Sequence, residues 1–349
     1  MRIAIVGATG NVGTSLIEAL GQDAEVTSVL GLARRVPAWQ PAKTEWAAAD
    51  VVDDDLVEHF RGADAVVHLA WLFQPTHQPT TTWRANVIGS GRVFQAVAEA
   101  DVSVLVYASS VGAYSPGPKD KPVTEEWPTH GWPTAGYTRE KAYVERLLDG
   151  FEHEHGDVRV VRFRPGFMFK RQSAAQQRRL FAGPLLPHLL VRSGLVPVLP
   201  DTPGLRLQAL HSSDAGQAFR LALTRPVRGA INLAAEPVID PSRLAELFDA
   251  RTAHVPAALL RSAVATAWHL HLVPASPHLL DAVLRLPLMD TTRAHTELGW
   301  TPQHSAVEAV AEFLTGLREN AGMQTPPLDT HSGGPARSRE FLSGVGQRA

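Results

Sequence analysis

The stretch RIAIVGATGNVGTSLIEAL, residues 2–20, passes from a short apolar run through three glycines into a segment with helical spacing. Gly7, Gly10 and Gly13 follow the pattern G-x-x-G-x-x-G. In such a loop the first glycine permits a tight turn, the second lets backbone approach a pyrophosphate, and the third lets helix and strand pack closely. Free N–H groups and the positive dipole end at the helix start attract phosphates. The stretch therefore predicts a nucleotide-binding strand–loop–helix unit.

The same alternation of strand-like and helix-like segments continues through the first half of the chain. Apolar runs rich in β-branched residues alternate with segments of helical spacing; the runs lie at 26–33, 65–71, 102–110 and 158–166, and the segments at 54–62, 86–100 and 138–151. Alternation of this kind implies right-handed crossovers and a parallel sheet with helices on both faces. We expect an α/β fold with a doubly wound parallel sheet and a smaller, mainly helical C-terminal substrate domain.

The pattern also predicts how the chain divides. Residues 1–166 and about 207–235 are expected to form the nucleotide-binding domain, and 167–206 with 236–320 the substrate-binding domain. Residues 321–349 are rich in Gly, Pro, Ser and Thr, so we expect a flexible tail that buries little apolar surface.

Composition excludes several classes of function. The 349 residues carry a formal net charge of −2, which provides no electrostatic footprint for nucleic acid or an anionic membrane. Cysteine is absent, which excludes disulfides and a thiol nucleophile. The histidine pairs at 153–155 and 269–271 are spaced i, i+2 and point apart on a helix, so we expect no metal site. The apolar stretch 255–275 contains Arg261 and is flanked by prolines, so we expect no membrane span and a cytoplasmic protein.

The end of the second predicted strand bears on the choice of nucleotide. NAD-preferring sites place an acid there to bind the ribose 2′-hydroxyl, whereas an arginine can neutralise a 2′-phosphate. This chain has Arg34 and Arg35 and no acid, which favours NADP(H), with NAD(H) as the alternative. Both arginines could instead be solvated loop charges. Asp50, followed by Val51, is placed to accept a hydrogen bond from the adenine amino group.

Tyr137 and Lys141 lie at i, i+4 and therefore on one face of a predicted helix. A free tyrosine has a pKa near ~10, and a neighbouring ammonium together with an oxidised nicotinamide would bring it toward the working range. Ser109 and Ser110 close the apolar run 102–110 at its carboxyl end, where ligands bind in open parallel sheets. The alternative is a solvated helix turn, but the glycine loop and the serines favour an acid/base centre.

These features resemble the extended short-chain dehydrogenase/reductase family, the NAD(P)-dependent epimerases and dehydratases, over roughly residues 1–315. The resemblance rests on GATGNVG at 7–13, Asp50, HLAW at 68–71, Asn86, SSVGAY at 109–114, YTREK at 137–141 and RPG at 164–166. It implies a Rossmann domain.

The resemblance also implies residue roles. Tyr137 would be the acid/base, Lys141 its tuner and a ribose ligand, and Ser110 the substrate hydroxyl donor. Asn86 would hold the active-site helix and a water. The cofactor would be bound by Gly7, Thr9, Gly10, Asn11, Val12, Gly13, Arg34, Arg35, Asp50, Val51, Leu69, Ala70, Tyr137, Lys141, Pro165 and Gly166.

Two tryptophans flank this predicted site. Trp71 replaces the small residue common in the family after the HLA segment and would narrow the site near the nicotinamide. Trp132 and Ser109 are further candidates for substrate contact.

Several alternatives stay open from the sequence. The enzyme would either reduce or oxidise its substrate or perform redox-neutral epimerisation or dehydration of a nucleotide sugar. A non-catalytic dinucleotide sensor or partner-binding protein is the alternative outside enzymes. The substrate is a sugar nucleotide or a less polar alcohol or ketone; the apolar region 255–288 favours the latter. The basic stretch 170–179 would contact substrate phosphates or form a solvated helix face. The family resemblance implies a homodimer through the helices around 86–100 and 138–151.

Overall fold

The computed structural model describes residues 1–183, 196–331 and Val345. Its strands are β1 (Arg2–Val6), β2 (Ser28–Ala33), β3 (Thr44–Ala48), β4 (Ala65–His68), β5 (Val104–Ala108), β6 (Arg159–Pro165), β7 (Phe167–Phe169), β8 (Val198–Asp201), β9 (Leu207–His211), β10 (Gly229–Leu233), β11 (Ala235–Ile239) and β12 (Arg251–His254). Its α-helices are α1 (Asn11–Gly21), α2 (Val57–Phe60), α3 (Pro79–Trp83), α4 (Gly89–Glu99), α5 (Gly136–Glu154), α6 (Ala174–Gln177), α7 (Ser212–Thr224), α8 (Pro241–Phe248), α9 (Ala257–His269), α10 (Pro277–Val283), α11 (Thr292–Thr296) and α12 (Ala306–Glu319). Short π-helical turns cover Arg84–Ile88 and Arg178–Ala182, and 3-10 turns cover Val111–Ala113 and Arg171–Ser173.

The central sheet of the described residues has seven parallel strands in the order β3-β2-β1-β4-β5-β6-β10. The order reverses between β1 and β4, which is the switch point where open parallel sheets bind ligands. The predicted doubly wound parallel sheet is confirmed. The edge strand β3 was not expected, because its residues alternate between half-buried and exposed and form no apolar run.

Helices cover both faces of this sheet. On one face, Leu16 and Ile17 of α1 pack in a common core with Phe219 of α7. On the other face, Phe94 of α4 and Leu148 of α5 share a second core with the inner strands. The sheet is therefore buried on both sides, as its continuous apolar strands require.

The last helix shares a core with α1 and α7 and packs on a second, three-stranded sheet of the described residues, formed by β11, β9 and β7. Val310, Leu314 and Leu317 of α12 join the core that contains Leu16 and Phe219. This differs from the expected substrate-domain range 236–320, because the apolar face of α12 packs on β9 and β11. The expected mainly helical substrate domain also contains β12, which pairs in parallel with β8.

The first part of the expected tail is packed. Leu328 is fully buried, and Thr325 Oγ1 donates a hydrogen bond of 2.9 Å to the carbonyl oxygen of Thr9 in the glycine loop. Composition does not reveal such contacts, because a few buried side chains are enough to order a segment that is polar overall. The remainder of the expected tail, Val345 apart, and residues 184–195 of the expected substrate-binding domain lie outside the described residues. Within the described ranges, no helix combines the length and apolar character needed to cross a membrane.

Candidate active site

The glycine loop between β1 and α1 forms a cradle. Gly7 has a φ of +84°, and a Cβ there would lie 2.6 Å from the backbone nitrogen of Ala70. A Cβ at Gly13 would lie 2.5 Å from the carbonyl oxygen of Ala8, whereas one at Gly10 would meet only Gly7 O at 3.5 Å. The loop thus has no room for a Cβ at Gly7 and Gly13, whereas Gly10 has room for one.

Two further features fit a dinucleotide at this cradle. Helix α1 begins after Gly10 with no side chain capping its first N–H groups, which suits a phosphate. The Oδ1 atom of Asn11 is buried without a hydrogen-bond partner, while its Nδ2 donates to Met168 O at 3.1 Å. Backbone N–H groups of Asn11, Val12 and Gly13 are therefore the groups that would hold a pyrophosphate.

Ser110 and Tyr137 meet at the carboxyl end of β5. Ser110 caps a 3-10 turn, where its Oγ accepts a hydrogen bond of 2.9 Å from Gly112 N. A Cβ at Gly112 would lie only 2.8 Å from Cε1 of Tyr137, so glycine permits the close approach of the turn to α5. Burial raises the pKa of Tyr137 to about 12, and its hydrogen bond with Ser110 lowers that pKa in part. The phenol therefore carries its proton at neutral pH.

Lys141 is buried one turn further along α5. Its Nζ donates to Ala108 O at 2.7 Å and to the Tyr107 hydroxyl at 3.2 Å, and it lies 3.4 Å from the ring centroid of Trp71. Burial lowers the pKa of Lys141 well below its ordinary value, and the charges of Glu145 and Glu140 raise it in part. Within the described chain the ammonium makes no hydrogen bond to the Tyr137 hydroxyl, because a carbonyl, a hydroxyl and the indole face surround it instead.

Three aromatic side chains, which we call the aromatic wall, line the other side of Tyr137. The Phe73 ring stacks on the Tyr137 ring at 5.1 Å and 14°, and Trp71 lies edge-on to the same ring at 5.9 Å. Phe181 lies edge-on to Phe73 at 5.6 Å. Sequence reasoning found Trp71 but missed Phe73 and Phe181, since loop aromatics resemble packing residues. The available signal was WLF directly after the strand end.

Asn86 ties helix α5 to the loop that carries this wall. Its Nδ2 donates to Glu140 Oε2 at 2.7 Å and to Leu72 O at 2.8 Å, and its Oδ1 accepts from Leu72 N at 2.6 Å. Thr82 Oγ1 donates to the other carboxylate oxygen of Glu140 at 2.7 Å. Asn86 is thus positioned to fix Tyr137 relative to Trp71 and Phe73.

Other expected residues lie apart from the reacting groups. Ser109 Oγ donates to Glu145 Oε1 at 2.5 Å, which turns it away from Tyr137. The Trp132 indole packs under the Arg285 guanidinium at 4.6 Å, and its N–H is buried without a hydrogen-bond partner. Pro165 ends β6, and a Cβ at the following Gly166 would lie 2.4 Å from a neighbouring carbonyl oxygen.

The expected adenosine-side residues surround the ends of β2 and β3. Arg34 and Arg35 are exposed, and neither guanidinium makes a hydrogen bond or ion pair within the described part of the chain. Asp50 Oδ1 accepts from Val52 N at 2.9 Å, so this carboxylate already fixes its own turn. Val51 O accepts from Arg92 Nε at 3.0 Å. Leu69, which precedes Ala70, is joined through its N–H to Val6 O at 2.8 Å and so lies beside the glycine loop.

The basic stretch after β7 is not a solvated face. Lys170 Nζ is buried and donates to Thr14 Oγ1 at 2.7 Å and Ser15 Oγ at 2.9 Å on α1. Burial lowers the pKa of Lys170 to about 8. Arg178 is also buried, and its Nη1 donates to Gly183 O at 3.2 Å. Lys170 therefore holds the segment after β7 against α1, whereas this bond of Arg178 closes its own turn.

Sequence comparison identifies the family of the chain. The profile of the NAD dependent epimerase/dehydratase family matches residues 3–234, and the chain belongs to this family. Among relatives, the Mycobacterium tuberculosis uncharacterized protein Rv2047c is 27% identical over 93% of this chain, which spans only 31% of the length of that protein. The L-arabinose 1-dehydrogenase (NAD(P)(+)) of Haloferax volcanii is 37% identical over 110 residues, which cover 31% of this chain and 41% of the relative.

Solved structures show the same architecture. MoeE5, in complex with UDP-glucose and NAD, superposes with a TM-score of 0.68 at 21% identity. The match covers 91% of this chain and 99% of MoeE5. At this identity the similarity shows the fold.

Proposed function

We propose that this chain catalyses NAD(P)-dependent hydride transfer at a carbon that bears a hydroxyl or carbonyl group, with Tyr137 as the acid/base. The observation that carries the proposal is the convergence of Ser110 and Tyr137 at the carboxyl end of β5, where a Cβ at Gly112 would lie 3.3 Å from Ser110 Oγ and 2.8 Å from Tyr137 Cε1. It lies in the same strand-end region as the glycine cradle, where parallel sheets bind ligands.

The cofactor, when bound, supplies or accepts the hydride, and the residues of the chain manage the proton and the position of the substrate. Ser110 holds the substrate oxygen through its hydroxyl. Tyr137, whose pKa burial raises to about 12, holds a proton at neutral pH and donates it to a carbonyl oxygen in the reductive direction. In the oxidative direction Tyr137 must lose its proton first, which a nearby positive charge favours.

Lys141 supplies such a charge. Its ammonium is fixed by Ala108 O and the Tyr107 hydroxyl and lies one helical turn from Tyr137. From there it would act on the phenolate through space and bind the ribose. Trp71, which covers the ammonium, would leave that position as the ribose enters.

Within the NAD-dependent family, Arg34 and Arg35 support a preference for NADP(H) over NAD(H). Two exposed and unpaired guanidiniums beside the end of β2 match the charge of a 2′-phosphate, and Asp50 is engaged by its own turn. Replacing both arginines by alanine is expected to raise the dissociation constant of NADPH about tenfold or more while changing that of NADH little. Equal effects on both cofactors, measured by fluorescence titration, would contradict the preference.

The catalytic role of Tyr137 is tested by Tyr137→Phe. Loss of the hydroxyl is expected to lower kcat about 10²- to 10⁴-fold, because general acid/base catalysis is lost while the aromatic contacts remain. Turnover is followed at the absorbance band of the reduced nicotinamide, and cofactor titration checks that binding persists. Full turnover by the variant would refute the assignment. Normal cofactor binding without any turnover by the wild type would favour a dinucleotide sensor.

A redox-neutral reaction on a nucleotide sugar is the second candidate. It is favoured by the similarity to MoeE5, whose structure contains UDP-glucose and NAD. Net change in nicotinamide absorbance separates the two, since an epimerase or dehydratase returns its cofactor to the starting state. With UDP-glucose as probe, product formation without such a change would support the second candidate.

We propose a homodimer and a cytoplasmic location, and one structural observation supports the homodimer. Ile88 and Tyr143 are 51% and 46% exposed, and they lie at the start of α4 and on α5, where a homodimer is expected. Light scattering of the purified protein tests the dimer. A cytoplasmic location stays a prediction.

A further inference from the structure

The loop of residues 69–78, which follows β4, is held against the C-terminal half of the chain. Gln74 is buried, and its Nε2 donates to Leu180 O at 2.8 Å. Thr76 Oγ1 donates to Pro274 O at 2.9 Å and accepts from Trp268 Nε1 at 3.1 Å. The loop therefore bridges the cleft and holds Phe73 against the ring of Tyr137.

The aromatic wall extends from Tyr137 outward to the surface. Phe73 presents one face to Tyr137 and contacts Phe181 edge-on, and Phe181 is 37% exposed. Aromatic pairs prefer stacked or edge-to-face arrangements at these separations. A planar group that enters beside the Tyr137 hydroxyl would find rings in both orientations.

The side of Ser110 away from the wall is also apolar. A small cavity begins at Val111, next to Ser110, and is lined by Phe167, Leu286, Pro287 and Met289.

Two polar side chains line this cavity, and the structure shows partners for the Gln208 amide and for one nitrogen of Arg206. Both ends of the Gln208 amide bind the backbone of Met289, at 3.0 and 2.6 Å. Arg206 Nη1 donates to Lys119 O at 2.6 Å. Sugar hydroxyls buried against such a lining would lose their hydrogen bonds with water without replacement.

We infer that the substrate is a ketone, or the corresponding alcohol, with an aromatic ring next to the reacting carbon, and that Phe73 and Phe181 recognise the ring. This inference rests on the proposed role of Tyr137. In the reductive direction the carbonyl carbon gains a hydride from the reduced nicotinamide and the carbonyl oxygen gains the Tyr137 proton. The products are the alcohol and the oxidised cofactor, and Tyr137 regains its proton from solvent.

The test compares 2-acetylnaphthalene, acetophenone, 2-butanone and UDP-glucose as probes, with NADPH and with NADH. We expect kcat/KM to rise with ring area, and to be at least tenfold higher for 2-acetylnaphthalene than for 2-butanone. Phe73→Leu and Phe181→Leu keep apolar volume but remove the ring, so each should raise the KM for 2-acetylnaphthalene about fivefold. Phe169→Leu is the matched control, because that ring packs on Phe313 away from the wall, and its KM should equal that of the wild type.

The outcomes separate this inference from the proposed function. Preference for UDP-glucose, or equal KM values in all three phenylalanine variants, overturns the substrate class even if Tyr137→Phe abolishes turnover. Full turnover by Tyr137→Phe overturns the proposed function instead. If no ketone is reduced, saturation-transfer NMR with 2-acetylnaphthalene and cofactor tests binding directly. Saturation transfer to the naphthyl ring protons in the wild type that is lost in Phe73→Leu supports the inference. Absence of saturation transfer in the wild type overturns it.

Discussion

Ser109 and Ser110 are neighbours in the chain, but their side chains contact different turns of helix α5. Ser109 donates to the Glu145 carboxylate in a cluster that we call the charged face, where Arg162 and Arg164 of β6 pair with Glu145. Ser110 lies against Tyr137 in a second cluster, which we call the reactive face and which also contains Lys141. At the end of this strand, Ser109 thus anchors the helix, and Ser110 takes part in the proposed reaction.

The two faces differ in how completely their polar groups are paired. Glu145 is fully buried, and its oxygens accept from both arginines and from Ser109. Hydrogen bonds and charges from Arg164, followed by Arg162, overcome burial and lower the pKa of Glu145 to about 2. On the reactive face Lys141 is buried without a hydrogen bond to a carboxylate within the described chain, and the Trp71 indole N–H has no partner.

The groups that stabilise the helix therefore differ from the groups that would bind a ligand. Charges held by several ion pairs in a buried network keep one geometry, whereas a buried ammonium without a carboxylate partner is available to a ligand. The helix can therefore hold reactive groups in a fixed place although those groups contribute little to its anchoring.

The largest expected effect is on the charged face. Glu145→Gln leaves two buried guanidiniums without their shared carboxylate, and we expect the free energy of unfolding to fall by about 3–5 kcal/mol. Chemical denaturation measures it. Glu58→Gln is the control, because its ion pair with Arg61 is exposed and contributes less than about 1 kcal/mol. Equal losses in the two variants would mean that the charged face does not anchor α5.

The next largest effect is the dependence of the unfolding free energy on pH. It distinguishes the two regions because their buried groups titrate in different pH ranges. His68 is buried beneath the reactive face, its ring 5.6 Å from that of Tyr107, and burial lowers its pKa from 6.5 to about 3. Because the unfolded chain binds this proton first, stability is lost as the pH falls below 6.5. The loss between pH 7 and pH 5 is about 2 kcal/mol. Glu145, with a pKa of about 2, stays ionised over that range.

The variant His68→Gln checks this assignment. It should reduce the slope of unfolding free energy against pH between 7 and 5, whatever its effect on stability at pH 7. Some slope remains, since burial also lowers the pKa values of His77 and His211. An unchanged slope would show that His68 does not carry the pH dependence.

Much of the fold could be predicted because its signals are local. Glycine spacing and strand–helix alternation indicate a doubly wound parallel sheet, and the strand-end serines indicate where a site forms. The edge strand β3 and the place of α12 could not be predicted, since partners distant in sequence determine both. For the same reason the contacts of Lys141 and the ring of Phe73 on Tyr137 were missed: spacing along a helix does not reveal what a loop places beside it.

The smallest change tests the account most directly. Ser109→Ala removes a hydrogen bond to a buried carboxylate and should lower the free energy of unfolding by about 1.5 kcal/mol, with kcat within twofold of the wild type. Ser110→Ala should lower kcat about 10²-fold, with an unfolding free energy within about 1 kcal/mol of the wild type. Measuring both quantities in both variants should give this crossed pattern. Loss of turnover in Ser109→Ala with normal stability, or unimpaired turnover in Ser110→Ala, would contradict the separation of the two faces.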